Sequence, residues 1–348
     1  MRTEYFIAMD THCRTTGACI KTAGGKLVRR VHTQTTIPHL RVVIESVPRP
    51  RRVTFEESGM AGWLYRNLKP FADEIVVCDP RRNAYVAKDG DKDDVIDAEK
   101  LNDLYRGGHL RVVHQSDSSE QAGKKQLVGM YHDRVAHRVA EGSRLLAFGK
   151  RWGSLLTSGM LTESNARENL RQRFESAKVP VEVITAALEL WDGYELAVSQ
   201  EESLHKQLRK MVTSDLMMRR VAELPGYGPV RAATLVACWE TPWRFKSKPA
   251  LFKYNGIGLR RERSGDGYEY IRVEQACNRQ LRNVAIGGAK TAIEQKENIF
   301  ARRYVQWMQR GLSPKNARRN VARDQLAAIW GMWKTNTAFD PDLIPSLS

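Results

Sequence analysis

An apolar run, Tyr5-Phe6-Ile7-Ala8-Met9, stops on a carboxylate, Asp10. An ionised acid is costly beside a buried strand, so one placed at its end calls for a specific reason. The runs that follow narrow the fold further. Gly17-Ala18-Cys19-Ile20, the turn Gly24-Gly25, and Leu27-Val28 leading to Val31 predict an antiparallel meander with the first strand. A helix is expected within residues 38–47, then a strand over 52–56 that ends on Glu56. Trp63, Leu64 and Leu68 mark the next helix, and residues 74–78 form another short apolar strand closed by Asp79-Pro80. Three strands followed by alternating helices and strands predict an α/β domain with a mixed sheet.

Beyond that domain the pattern turns helical. Leu127, Tyr131, Val135 and Val139 recur every four residues, while Lys124, Lys125, Arg134 and Arg138 stay polar. A second helical stretch contains Leu204, Leu208, Met211 and Val212, with a less regular, charge-rich segment over 149–180 between the two. This middle is expected to be a helical arm, coiled-coil-like in character. From residue 216 onward small residues, Arg and Trp become prominent, and helices are expected over 229–238, 279–293 and 317–333. The expected division is therefore 1–117 for the sheet domain, 118–215 for the arm, 216–336 for a mostly helical C-terminal domain, and 337–348 for a loosely held tail.

Charge narrows the function. Of 348 residues, 56 are Lys or Arg and 40 are Asp or Glu, a net charge of +16. Such a surplus points to a polyanion, because phosphates release counterions when Lys and Arg neutralise them. With 42% hydrophobic and 28% charged residues, wholesale disorder is excluded. The five Cys are odd in number and form no Cys-x-x-Cys pair, which argues against a zinc ribbon or a disulfide framework and for a reducing compartment. No apolar stretch approaches the length of a membrane span, and the first residues do not read as a signal peptide. A cytoplasmic, nucleoid-associated protein with no membrane partner is expected.

Asp10 and Glu56 each close a strand, and strand ends can open onto one rim. Asp94 and Asp97, in Lys92-Asp93-Asp94-Val95-Ile96-Asp97-Ala98, are three apart and share a helix face near its start. Ala98, Leu101 and Leu104 give that helix an apolar side for the sheet. Four gathered acids repel each other and need a compensating charge. Two divalent ions, magnesium or manganese by the hardness of the oxygen ligands, would supply it and would suit in-line phosphoryl transfer. The competing reading is an exposed capping cluster of Asp91, Asp93, Asp94 and Asp97.

The C-terminal half offers phosphate contacts. Gly226 and Gly228, in Leu224-Pro225-Gly226-Tyr227-Gly228-Pro229, precede a helix and suit a backbone N–H contact with phosphate, or else a plain tight turn. Ser264 precedes Gly265 in an expected loop, after Arg260, Arg261 and Arg263, with Arg272 beyond it; the arginines suit a phosphodiester. Read from its surroundings alone, Ser264 is as well a polar turn residue. Arg302, Arg303, Arg318 and Arg319 are further candidates for phosphate contact, against solvated helix faces. Trp239, Trp243, Trp307, Trp330 and Trp333 fit a helical core better than base stacking, and His132 and His137 read as surface or nucleic-acid contacts.

Together these motifs resemble the DEDD transposases with a RuvC-like domain, the bridge-RNA-guided recombinases of bacterial insertion sequences, to which pilin-gene invertases are related. The Asp10 strand, Glu56-Glu57-Ser58-Gly59 and Asp94-Val95-Ile96-Asp97-Ala98 resemble the acidic motifs. Leu224-Pro225-Gly226-Tyr227-Gly228, Trp243-Arg244-Phe245-Lys246-Ser247, Tyr254-Asn255-Gly256-Ile257-Gly258-Leu259, Ser264-Gly265 and Asn278-Arg279-Gln280-Leu281-Arg282 resemble the transposase domain, in the same order. Three positions depart from the pattern: Asp93 stands where Thr is common, Arg260 and Arg261 replace a Pro, and Cys277 replaces a Gly.

The resemblance implies an RNase H-like (RuvC-like) domain holding Mg2+ or Mn2+ on Asp10, Glu56, Asp94 and Asp97. It implies Ser264 as the nucleophile that joins covalently to DNA, in an α/β plus α architecture. It further implies donor and target double-stranded DNA as substrates, a structured guide (bridge) RNA, and dimers pairing into a tetramer. Two rival readings use the same residues differently. A metal-dependent Holliday-junction nuclease, or a site-specific DNA invertase, would act without serine and RNA-guided chemistry. A non-catalytic nucleic-acid-binding protein would use neither site.

Overall fold

The computed structural model describes residues 3–83, 94–263, 269–273 and 277–344. Two compact units divide the chain, Met1–Ala122 and Gly123–Ser348.

The first unit is built on a five-stranded sheet. Strands β1 (Tyr5–Thr11), β2 (Thr15–Thr22) and β3 (Leu27–Gln34) form the expected antiparallel meander, with Asp10 opposite Gly17 and Gly17 opposite His32. Helix α1 (Ile37–Glu45) leads to β4 (Arg51–Glu56), and α2 (Ala61–Leu68) leads to β5 (Glu74–Cys78); α3 (Pro80–Asn83) follows directly. β4 pairs parallel with β1, and β5 parallel with β4, so the order across the sheet is β3-β2-β1-β4-β5. This is the mixed sheet that the run order predicts. β3 is one of the two edge strands; its exposed Arg29 and Arg30 put charge on an edge that would otherwise offer free backbone groups to another strand.

Strand alternation gives the sheet two apolar faces. Ile7, Met9, Ile20, Val53, Phe55 and Val77 pack with Leu40 and Ile44 of α1 and Leu64 and Leu68 of α2. On the other face, Phe6, Val76, Ala8 and Cys78 meet Tyr105 and Leu101 of α4 (Asp94–Arg106). The buried side of α4 is Ala98, Leu101, Asn102 and Tyr105, with Leu104 only partly covered. Asn102 is a buried polar residue in the middle of that contact. Its side-chain amide donates to the carbonyls of Phe6 (2.8 Å) and Cys19 (2.9 Å), tying the helix to β1 and β2.

The second unit is mostly helical. Its long helices are α5 (Ser119–Arg151) and α7 (Val181–Ser214), with α6 (Ala166–Ser176) between them. α6 occupies part of the segment expected to be irregular, because Leu170 and Phe174, one turn apart, bury against Leu145 and Trp191. The remaining helices are α8 (Leu216–Ala222), α9 (Pro229–Trp239), α10 (Lys248–Tyr254), α11 (Arg279–Glu294), α12 (Ile299–Gln309) and α13 (Pro314–Thr335). They surround a core centred on Trp239, Leu281, Phe300 and Leu326.

Strands β6 (Leu259–Arg263) and β7 (Glu269–Val273) pair antiparallel, so the arginines that precede the expected Ser264 loop lie on one strand of a two-stranded ribbon, a hairpin. The described part of the tail, residues 337–344, is held more firmly than its composition suggests. Phe339 stacks on Phe300 with ring centroids 5.6 Å apart, and Ile344 lies against the core.

Candidate active site

The pairing of β1 with β4 runs in register as far as Met9 opposite Phe55. The next residue along each strand is Asp10 and Glu56 respectively. Parallel partners share a face, so Asp10 follows Ala8, and Glu56 follows Thr54, on the side covered by α4. The two strand-end acids thus lie at the rim where α4 begins, and α4 begins with Asp94, with Asp97 one turn along.

The approach of α4 depends on Gly17. A methyl group there would lie 2.6 Å from the backbone carbonyl of Asp94. Gly17 is the residue opposite Asp10 on β2, so the missing side chain brings Asp94 down beside Asp10. His32, opposite Gly17 on the other side, reaches to 3.9 Å from Asp94.

A histidine joins the acids. The Nε2 atom of His12 lies 3.2 Å from Asp10 Oδ2 and 3.3 Å from Asp94 Oδ1. One donor atom from each of Asp10, His12 and Asp94 falls within 4.8 Å of the other two. Among the described residues this triplet is the cluster that could hold a metal ion; Asp97 is near enough to act on the charge of Asp10, and strand register puts Glu56 at the same end of the sheet. Asp10 is half-buried, and that burial pushes its carboxyl above the ordinary aspartate range. His12 pulls it down, while Asp94 and Asp97 push it up.

Asp10 and Asp94 offer hard carboxylate oxygens within 4.8 Å of each other, and the charges of Asp94 and Asp97 add to the rise that burial causes at Asp10. That fits magnesium or manganese. His12, as an exposed cation when protonated, stands where such an ion would balance the acids.

His12, His32, Gly17 and Asn102 are absent from the sequence-based site. Asp10-Thr11-His12 carried a signal, since a histidine two residues after a strand-end acid stays near the same rim. His32 and Gly17 become legible only through the register of the meander.

In the second unit the expected residues scatter. Ser264 lies outside the described residues, as do Asp91 and Asp93 and the side chains of Arg261, Arg263 and Arg272. Along the hairpin backbone Arg260, which is exposed, stands opposite Arg272. Gly226 does not offer its N–H to a phosphate. That group donates to Gln295 Oε1 at 3.1 Å, the residue has φ +85°, and an added methyl would meet the Gly288 carbonyl of α11. It is a helix-packing contact. Gly228 caps α9 with open space beside it.

Arg302 is exposed, but Arg303 is buried and paired with Asp324 at 3.2 Å, which corrects its reading as a phosphate contact. Arg318 and Arg319 lie partly exposed on α13. Trp239 is fully buried and donates to Asn255 Oδ1, Trp333 stacks on it, and Trp243 is exposed. His132 is half-buried and bonded to Thr234 Oγ1 at 2.9 Å, and burial lowers its pKa, so it is a packing residue. His137 lies 3.3 Å from Glu141 on the same helix.

Residues 218–305 match the model of a transposase family described as Transposase IS116/IS110/IS902 family. That stretch takes in the glycine turn, α9, α10, the hairpin and α11. Over 292 residues the chain is 25% identical to a protein of Sinorhizobium fredii (strain NBRC 101917 / NGR234) described as transposase y4pF/y4sB, covering 83% of this chain and 73% of that one. Over 303 residues it is 23% identical to a protein of Pseudomonas aeruginosa described as a family 20 transposase, covering 84% of this chain and 86% of the other. Among the described residues no helix is long and apolar enough to cross a membrane. The chain is thus similar to transposases along more than four-fifths of its length, and over residues 218–305 it is similar to those of the IS116/IS110/IS902 family.

Proposed function

We propose that this chain is a transposase of an insertion sequence that cuts and rejoins DNA through a covalent serine intermediate, aided by a divalent ion on the rim of the first unit. The observation that carries the reading is the meeting of Asp10 and Asp94 at the end of β1, made possible by Gly17. The strand order β3-β2-β1-β4-β5, with β2 alone antiparallel to both neighbours, supports an RNase H-like (RuvC-like) assignment for this unit. Similarity of residues 218–305 to a transposase family supports the placement of strand chemistry in the second unit.

In this reading the Ser264 oxygen bonds to a DNA phosphorus as the bond from phosphorus to the leaving strand breaks. The serine proton is lost to a general base, and the leaving strand's oxygen takes up a proton to become a free hydroxyl. When bound, magnesium or manganese would withdraw charge from the phosphoryl oxygens. Asp10, Glu56, Asp94 and Asp97 are the residues that would hold the ion. A free strand hydroxyl then attacks the phosphoserine, and the serine oxygen leaves with a proton. Guidance by a structured RNA, pairing of dimers into a tetramer, and action in the bacterial cytoplasm belong to the same proposal; the charge of +16 supports the polyanion partners.

The test is an adduct assay. The protein, expressed with its flanking DNA and its RNA transcript, is given magnesium with donor and target DNA, and protein-linked DNA is sought on a denaturing gel. An adduct lost in both Ser264→Ala and Asp94→Ala is the expected result. A second reading has one observation in its favour: the acidic cluster is assembled wholly within Met1–Ala122. A junction nuclease that activates water would need nothing more. Cleavage without adduct, unchanged in Ser264→Ala, would establish that reading instead.

A further inference from the structure

The second unit contains a cavity of about 1160 Å³ between α11, α13 and the base of the hairpin. Leu259 and Val273, paired across the hairpin, contribute apolar wall together with Ile257 and Ile286. The polar wall is cationic: Lys315, Arg318, Arg319 and Arg323 from α13, with Arg282 from α11. Among the described residues that line it, none is acidic.

Lys315, Arg319 and Arg323 follow one another at intervals of four along α13, and Arg318 sits beside them. Like charges so placed destabilise a helix. The one acid of this stretch, Asp324, is bonded instead to Arg303 of α12. Among the described residues, none of the four cations has a carboxylate within ion-pair distance. Arg323 is held rigidly, with Nε and Nη2 donating to the Ile257 carbonyl at 3.0 and 2.8 Å and Nη1 donating to Asn320 Oδ1. Burial lowers its pKa, and Arg319 lowers it further. The positive end of the α13 dipole adds to the same field.

We propose that this cavity binds the sugar–phosphate backbone of a nucleic-acid strand through Lys315, Arg318, Arg319 and Arg323. A polymer fits better than a mononucleotide. The cavity exceeds the roughly 300–1,000 Å³ typical of small-ligand pockets. Its described lining residues also include no aromatic ring to stack a base and no carboxylate to read one. Guanidinium forks suit phosphate oxygens, and the contacts would fix register rather than sequence. The inference rests on the proposed function only for its choice of a nucleic acid as the polyanion; DNA and RNA present the same chemistry here.

The experiment is a binding measurement with the full chain in EDTA, where no strand is cut. Fluorescence anisotropy is followed with a labelled 30-bp DNA duplex and, separately, a labelled RNA hairpin, across a salt series. The triple variant Lys315→Gln/Arg318→Gln/Arg319→Gln is compared with wild type and with Arg167→Gln/Arg171→Gln on α6. Each lost duplex contact should flatten the plot of log affinity against log salt by about 0.9, so a change of roughly 2–3 is expected, with at least a tenfold loss of affinity near 0.15 M salt. The α6 variant should stay within about twofold of wild type, since its arginines already pair with Asp192 and Glu175.

Loss confined to the duplex assigns the cavity to DNA, and loss confined to the hairpin assigns it to RNA. An unchanged slope with both polymers overturns the proposal. If the triple variant unfolds on heating below wild type, the single reversals Lys315→Glu, at an exposed position, and Arg318→Glu carry the same test. Failure of the serine reading would appear in the adduct assay and leave these slopes untouched.

Discussion

A methyl group on Gly17 would stand 2.6 Å from the carbonyl carbon and oxygen of Asp94. Asp94 is the first residue described in α4, and Gly17 faces Asp10 across the β1–β2 ladder. One missing side chain on a strand therefore sets how close two carboxylates on different elements can come.

Gly17→Ala should push the first turn of α4 off the sheet, since the clash is with backbone and not with a movable side-chain end. A displacement near 1 Å costs about 10²-fold in reactions that depend on placed groups. We expect adduct formation to fall by about that factor, while the helical second unit keeps its circular dichroism. Full activity in this variant would show that Asp94 need not approach Asp10.

Asp10→Asn separates charge from shape. The folded-state pKa of Asp10 is raised, so its ionisation opposes folding at neutral pH, and that penalty is relieved as pH falls through the raised value. In EDTA at pH 7 the variant should melt above wild type by about 2–4 °C, and the gap should close toward pH 4. Added magnesium should reverse the order, because a ligand at 100 times its Kd stabilises the wild type by about 2.7 kcal/mol. Differential scanning fluorimetry across pH, with and without magnesium, reads both signs.

Gly226→Ala tests whether the glycine turn packs or binds. The residue has φ +85°, and its new methyl would lie 2.0 Å from the Gly288 carbonyl. Strain and overpacking together should cost about 3 kcal/mol or more in urea unfolding. Gly228→Ala, with open space around it, should cost less than about 1 kcal/mol. Nucleic-acid affinity lost in Gly226→Ala without loss of stability would restore the phosphate-contact reading.

Asn102→Ala removes the amide that bonds Phe6 and Cys19. Both carbonyls lie in the contact between α4 and the sheet, and each orphaned buried group carries a penalty. A loss of about 1–3 kcal/mol in the stability of the first unit is expected. Because Asn102 sits two turns from Asp94, activity at low temperature should survive; a variant equally stable to wild type would make the bonds incidental.

The first unit is legible in the sequence to within a residue or two at most strand ends. Short continuous apolar runs such as Tyr5–Met9 mark strands buried on both faces, and the spacing of Asp94 and Asp97 marks a helix face. The hairpin Leu259–Arg263 was hidden because its composition is charged: a two-stranded ribbon buries too little to need alternating apolar residues. Arg303 was unreadable for the opposite reason. Its neighbour in sequence, Arg302, is exposed, and only the packing of α12 on α13 brings Asp324 to it.

The sequence by itself determined which acids end strands, which residues repeat at helical spacing, and that the chain carries a large positive charge. Those are local or summed properties, set by side-chain chemistry and backbone periodicity. Tertiary structure decided that Asp10 meets Asp94 and His12, that Gly226 packs on α11, and that the cations of α13 face a shared cavity. Each of these depends on distances between elements far apart in the chain. Such distances are fixed by which side chains are missing at a contact, as at Gly17, and by which partners packing brings within reach of a charge.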